Sequence, residues 1–434
     1  MDNLLEKTDY INSLPEGWKI KRTKYEFTII NGSTPDTNYS EYWDGNINWI
    51  GPADMQEFGE IKEGRNTITL SGYNSCSTLL LPEGSIVIST RAPIGKVNIT
   101  IGELCTNQGC KSLVRKNKDN RYFYYHFHML KEKLISLGRG TTFKELSTTD
   151  LKNVYIIIPP DNEQRIISSF LDEKVPMLNN AISALNNEIK LLEDAKKSLI
   201  TESITCGLNK NGELLENDNP IIRFIPQNWK CIKIKYIAKF YNGDRSEKYP
   251  KDYEIVEEGI PFLNSENIHG EVVDTSLKCK YITNEKYSEL GGAKLQINDI
   301  IFCLRGSIGL CAINKTEKKG TIASSLVAIR ANNSILPDFL NYYLSSEIVK
   351  TQTIQCMNGS CAANLSADDV KKYFISMPDS LKEQQEIVDY LDKKCGAIDR
   401  IIETKRKQIE KLETHKLSMI YDYVTGIKRV GGTA

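Results

Sequence analysis

Three arrangements of reactive side chains stand out along the chain. His126 and His128 lie two residues apart, Cys105/Cys110 and Cys356/Cys361 each enclose four residues, and Asp172-Glu173-Lys174 places acids beside a lysine. A metal centre needs closer cysteine or histidine spacing, such as Cys-x-x-Cys or His-Glu-x-x-His, and neither occurs. The histidines sit in an aromatic run (Tyr122-Phe123-Tyr124-Tyr125-His126-Phe127-His128) and read as packed helix residues. The acid–x–lysine triplet fits a nuclease only loosely, since charged helices carry such triplets routinely. No Gly-x4-Gly-Lys-Ser/Thr loop, no Gly-x-Gly-x-x-Gly and no Asp/Asn-Pro-Pro-Tyr/Phe loop of an amino-methyltransferase is present. The expected class is a binding protein, not an enzyme. Eleven cysteines at irregular spacing point to reduced thiols, and the absence of a leader or an 18-residue apolar run to a cytoplasmic protein without membrane partners.

Binding chemistry then rests on local charge, because Lys+Arg and Asp+Glu both number 56 in the 434 residues. Residues 1–89 hold 7 basic and 13 acidic side chains, whereas residues 90–152 hold 12 and 5. Residues 304–377 hold 8 and 5. Loops rich in Arg, Lys, Ser, Thr, Asn and Gln are suited to phosphates and base edges. Such a bias also marks an ordinary solvated face; the residues placed for nucleic-acid contacts are Arg91, Lys96, Asn107, Gln108, Arg139, Thr141, Thr142 and Lys144 in the first half. In the second half they are Arg305, Ser307, Lys315, Asn358 and Ser360. Arg91 and Arg305 occupy matching turns (Ile88-Ser89-Thr90-Arg91 and Phe302-Cys303-Leu304-Arg305). Each is either a structural residue holding its loop, a phosphate contact, or a reader of guanine. Asn and Gln suit adenine edges but are also common in turns.

These residues hang on a chain that repeats itself. Phe170–Thr205 aligns without a gap on Tyr390–Thr425 at an offset of 220. Both copies carry apolar residues at 3,4 spacing: Val175, Leu178, Ile182, Leu185, Ile189, Leu192 and Leu199 in the first, Cys395, Ile398, Ile402, Ile409, Leu412 and Met419 in the second. Lys196 interrupts the first stripe, Lys405 and Lys416 the second. Such a stripe predicts a long helix of about 33 residues, roughly 50 Å, that needs a helical partner. The nearest partner is the other copy. Lys190, Glu193, Lys197, Lys407, Glu410 and Lys411 would then form outer faces, solvated or carrying partner subunits.

The repeat extends beyond the helices. Pro15-x-x-Trp18 matches Pro226-x-x-Trp229, Asn31-Gly32 matches Asn242-Gly243, residues 81–97 match 295–311, and 140–151 match 359–370. Glu163-Gln164 matches Glu383-Gln384. Short β-branched runs bounded by Gly, Pro and Asn (46–51, 66–70, 85–90, 96–100, 110–114, 154–158) predict strands, and 122–137 a helix. Ser147 with Asp150, and Ser366 with Asp369, are placed to cap short helices. Trp18 and Trp229 read as core anchors. The expected class is α+β: two mixed, mostly β domains joined by two long antiparallel coiled-coil helices in a pseudo-two-fold repeat. The expected boundaries are a domain at 1–160, a helix at 161–208, a linker at 209–223, a domain at 224–380, and a helix with tail at 381–434.

The order of these phrases, their doubling and the total length resemble the specificity subunit of type I restriction-modification systems. The resemblance implies two target-recognition domains, each reading one half of a split, asymmetric site in double-stranded DNA. It implies DNA methyltransferase subunits docked on the scaffold and motor-nuclease restriction subunits joining them. S-adenosylmethionine and ATP/Mg belong to those partners, and this chain would have no catalytic centre. A specificity subunit serving a fused methylase-nuclease, or a coiled-coil scaffold joining two protein-binding β-domains, are the competing readings.

Overall fold

A computed structural model describes residues 14–115, 119–140, 144–209, 212–268, 272–275, 279–357 and 365–431. The chain divides into two compact units, residues 1–185 with 407–434, and residues 186–406. Two long helices, Asp161–Cys206 and Leu381–Val424, each begin in one unit and end in the other.

In the first unit, strands β1 (Lys19–Arg22), β2 (Thr28–Asn31), β3 (Trp43–Ile50), β4 (Phe58–Ile61), β5 (Asn66–Ile68), β6 (Ile86–Ser89), β7 (Val97–Thr100), β8 (Cys105–Thr106), β9 (Cys110–Val114) and β10 (Tyr155–Ile158) form three sheets, ordered β2-β9-β6-β7-β4, β5-β3-β8 and β1-β10. In the segment 209–223, expected as a plain linker, β11 (Leu214–Glu216) pairs with β12 (Phe224–Pro226). The second unit repeats the plan with β13 (Trp229–Lys233), β14 (Ala238–Asn242), β15 (Ile260–Leu263), β16 (Lys280–Ile282), β17 (Ile300–Cys303), β18 (Cys311–Ile313), β19 (Thr321–Ile322), β20 (Leu326–Ala331) and β21 (Phe374–Pro378). Its orders, β14-β20-β17-β18, β16-β15-β19 and β13-β21, are those of the first unit strand for strand, short of the β4 edge.

Each core joins a sheet to a helix and to the long helices. In the first unit Ile86, Ile88, Val97 and Leu113 meet Phe123, Phe127 and Leu130, with Leu171 and Val175 from the first long helix and Ile420 and Val424 from the second. In the other, Ile300, Phe302, Val327 and Ile329 meet Phe339 and Tyr343, with Leu391, Cys395, Ile200 and Ile204. The 122–137 stretch is two helices, Arg121–Met129 and Lys131–Ser136, meeting at Leu130, where the chain turns while both keep their apolar faces on the core. The repeated phrases are the joints of this frame. Trp18 Nε1 donates to Glu163 (3.0 Å) and Trp229 Nε1 to Glu383 (2.9 Å), so the Pro-x-x-Trp turn ties to the first turn of its helix. Gln164 and Gln384 donate to the carbonyls of Pro159 and Pro378. Tyr125 and Tyr342 donate to Asp172 and Asp392, each at 2.7 Å. Arg121 also reaches Asp172 (3.4 Å), so the aspartate of the acid–x–lysine triplet holds a domain to its helix.

The helices run antiparallel within each unit. In the second, Lys196 pairs with Asp399 (2.8 Å), Glu188 with Lys405 and Glu193 with Arg406. In the first, Asn179 accepts from Lys416 (3.0 Å) and Phe170 packs on Tyr423. The lysines that interrupt the apolar stripes, 196, 405 and 416, are the ones that reach across to the other helix. Ile182, Ile189 and Ile402 of their apolar stripes are buried. Of the residues expected on outer faces, Glu193 instead turns to Arg406 of the other helix, Lys197 pairs with Asp194 on its own helix, and Lys190, Lys407, Glu410 and Lys411 are exposed.

Candidate nucleic-acid interface

In the first unit four chain segments meet at one end of the β2-β9-β6-β7-β4 sheet. Beyond β2, Gly32 N and Ser33 N donate to the carbonyls of Cys110 and Thr106. Beyond β6, Thr90 N donates to Gly109 O (2.7 Å). The returning chain closes the cluster where Leu146 N donates to Thr90 O (3.0 Å) and Arg139 bridges to Glu145. Glycine is required at position 32, since a Cβ there would lie 1.9 Å from Asn107 O. Its repeat Gly243 is equally confined, 2.2 Å from Ala323 O. Ser147 caps the helix Thr148–Asn153, and Thr148 donates to Asn31 (2.7 Å), fixing that helix on the loop.

The second unit builds the same junction from different side chains. Leu304 N donates to Ser325 O, Leu365 N to Leu304 O, and Gly243 N to Leu326 O. Arg245 reaches Ser324 O at 3.5 Å from an exposed position. An open cavity of about 830 Å³ adjoins it, lined by Tyr241, Asp244, Arg245, Lys248, Lys294 and Arg330 among others.

The expected residues divide by position. Arg91 is exposed and held by Glu145, with Nε and Nη2 each 3.0 Å from Oε2. Lys96 is turned inwards, donating to the carbonyls of Pro52 (2.9 Å) and Met55 (2.8 Å), so its cation is absent from the loop surface. Asn107 is half-buried and accepts from Gly109 N (2.9 Å), a turn role. Gln108 is exposed beside Thr34. Arg139 is exposed and pairs with Asp150 (2.9 Å), and Lys144 is exposed. Arg305 and Ser307 are exposed at their loop tip, and among the described residues Arg305 has no ion-pair partner. Lys315 pairs with Asp338 (2.7 Å) and contacts Asn298, on residues outside this junction. Thr141, Thr142, Asn358 and Ser360 lie outside the described residues.

The basic excess of residues 90–152 is partly neutralised. Arg115, Lys131 and Arg121 pair with Glu26, Glu57 and Glu60 from the acidic segment before it. Arg91, Lys111 and Arg139 pair with Glu145 and Asp150. Three of these ion pairs join the acidic segment to the basic one. Glu145 is the centre of one group. Partial burial pushes its carboxyl pKa up, but the Arg91 and Lys111 cations outweigh that and hold it below the usual range. Lys111, buried beneath it, is lowered by desolvation against the pull of Glu145. Glu145, Lys111 and Arg245 were not among the expected residues. The repeated Asn-Gly at 31–32 and 242–243 was the available signal for this site.

The two domains share a frame and differ at their loop tips. Against protein families, residues 15–191 and 226–413 each match the type I restriction modification DNA specificity domain. The chain belongs to that family. Among relatives of this specificity-domain protein, the type I restriction enzyme MjaIX specificity subunit of Methanocaldococcus jannaschii is 29% identical over 386 residues, 86% of this chain and 85% of that one. The EcoBI specificity subunit of Escherichia coli is 26% identical over 361 residues, covering 79% and 73%. A chain from a solved type I R-M system superposes with a TM-score of 0.71 at 15% identity, covering 95% and 98%, which bears on the fold.

Proposed function

We propose that this chain is the DNA-recognition subunit of a type I restriction-modification complex. Each domain reads one part of a bipartite, asymmetric target in double-stranded DNA. The observation that carries this reading is the duplicated junction: one hydrogen-bonded frame, built twice, presenting exposed Gln108 and Arg139 in the first domain and exposed Arg245 and Ser307 in the second. A repeated frame meets the regular duplex the same way twice, and differing tips read different bases. The subunit is non-catalytic in this reading. It directs adenine methylation by methyltransferase subunits and cleavage by restriction subunits, which bring S-adenosylmethionine and ATP/Mg.

The test is methylation mapping in a methylation-free host co-expressing this chain with its partner methyltransferase. One split, asymmetric motif with a fixed gap, absent when the methyltransferase is expressed alone, is expected. If the methyltransferase marks the same sites without this chain, target choice lies elsewhere and a scaffold role replaces the proposal.

A further inference from the structure

The two matched loop arginines stand in opposite electrostatic settings. The backbone hydrogen bonds that flank them are the same. Ser89 N donates to Lys96 O and Gly95 N to Ser89 O in the first turn; Cys303 N donates to Leu310 O and Gly309 N to Cys303 O in the second. Leu146 N–Thr90 O is repeated as Leu365 N–Leu304 O. The surrounding side chains are not. In the first domain Arg91 is bound to Glu145, and Glu145 is bound from below by Lys111, whose side chain is 6% exposed. Strand register places Val327 where Lys111 stands, since Asn31 and Ile88 face Lys111 while Asn242 and Phe302 face Val327. In the sequence match of 140–151 on 359–370, Glu145 aligns with Asn364, which lies outside the described residues. Carboxylate and buried lysine have changed together, which is what their mutual dependence requires. A buried lysine without its anion is costly, and so is an anion without its cations.

Arg305 is left exposed and without an ion-pair partner among the described residues. A second exposed guanidinium, Arg245, reaches Ser324 O, next to Ser325 O, which accepts from Leu304 N; at the position of Arg245 the first domain has neutral Thr34 beside Gln108. We propose that Arg305 and Arg245 are direct DNA contacts of the second domain, whereas Arg91 is a positioning residue that holds the 90–96 and 139–146 loops together. The inference rests on the DNA-recognition reading above and assigns residues within it. A free guanidinium binds either a phosphate oxygen or guanine O6/N7, and both are acceptor oxygens or nitrogens within its fork.

The test uses the complex of this chain with its methyltransferase subunits, and duplex DNA carrying the mapped motif, across a series of KCl concentrations. Arg305→Ala and Arg245→Ala, both surface changes, are expected to leave the melting temperature unchanged and weaken binding. If the contact is a phosphate, the loss is uniform over sequences, the salt slope falls by about one per arginine, and Arg305→Lys restores most of it. If the contact is a guanine, one position of the second half-site relaxes, with about a 5- to 150-fold loss there, and Arg305→Lys does not restore selectivity. Arg91→Ala is expected to lower the melting temperature of the first domain with no change in salt slope. Wild-type affinity, slope and motif in both Arg305→Ala and Arg245→Ala would overturn the inference alone. A wild-type complex with no motif-specific binding overturns the recognition reading and the inference with it.

Discussion

Charge reversal across the long helices gives a direct measure of their register. Lys196 places its ammonium 2.9 and 2.8 Å from the two carboxylate oxygens of Asp399, 203 residues away in sequence. The lysine side chain is 19% exposed and the aspartate 52%, so the pair lies between the interior and bulk water. Unit charges about 4 Å apart attract by about 1 kcal/mol in water and about 4 kcal/mol at an effective dielectric of 20, and an intermediate site takes about 1–2 kcal/mol. Lys196→Glu turns that attraction into repulsion, a swing of about 2–4 kcal/mol. The unit containing it spans residues 186–406. For a unit of that size, each kcal/mol moves the melting temperature by about 2–4 °C, so Lys196→Glu should lower it by about 4–16 °C. Adding Asp399→Lys restores the pair with its sign exchanged and should recover more than half of the loss. The assay is thermal unfolding followed by circular dichroism at the helical band. If Asp399→Lys adds its own penalty to that of Lys196→Glu, the two residues are not partners and the antiparallel register is wrong.

Acid should weaken the first unit through its histidines. Burial lowers His126 to about 3 and His128 to about 4, so the folded chain refuses protons that the unfolded chain takes up below about pH 6.5. Their contribution is present above pH 6.5 and is lost as the pH falls towards 4, by about 2–3 kcal/mol each at pH 4.5; His126→Phe should flatten that part of a stability–pH curve. Glu145 has a depressed pKa, so its contribution is present above its ordinary range near pH 4.5 and lost below it. Glu145→Gln should therefore destabilise at neutral pH, with the difference from wild type vanishing at low pH. Ile204→Ala, at a fully buried position where the first helix ends in the second core, should cost about 2–5 kcal/mol in denaturant unfolding. Glu383→Ala, which leaves the buried Trp229 N–H without its acceptor, should cost about 1–3 kcal/mol in the same measurement.

The duplication was legible because a gapless heptad stripe and repeated Trp, Asn-Gly and Glu-Gln phrases each answer to a local rule: helix period, a turn that only glycine fits, a capped or anchored helix start. From these followed two α+β domains, two long helices needing each other, and the position of most strands. Register was not legible. Nothing local to Lys196, Lys405 or Lys416 says which acid or amide lies opposite, because that depends on how two distant helices slide. The same distance dependence misplaced the charge. Residues 90–152 look basic when counted along the chain, yet Glu26, Glu57 and Glu60 fold back onto them. Arg91 and Arg305 are indistinguishable in sequence. Only folding brings Glu145 and Lys111 under one and leaves the other facing solvent, because a side chain's charge state and reach are set by neighbours that the chain supplies from far away.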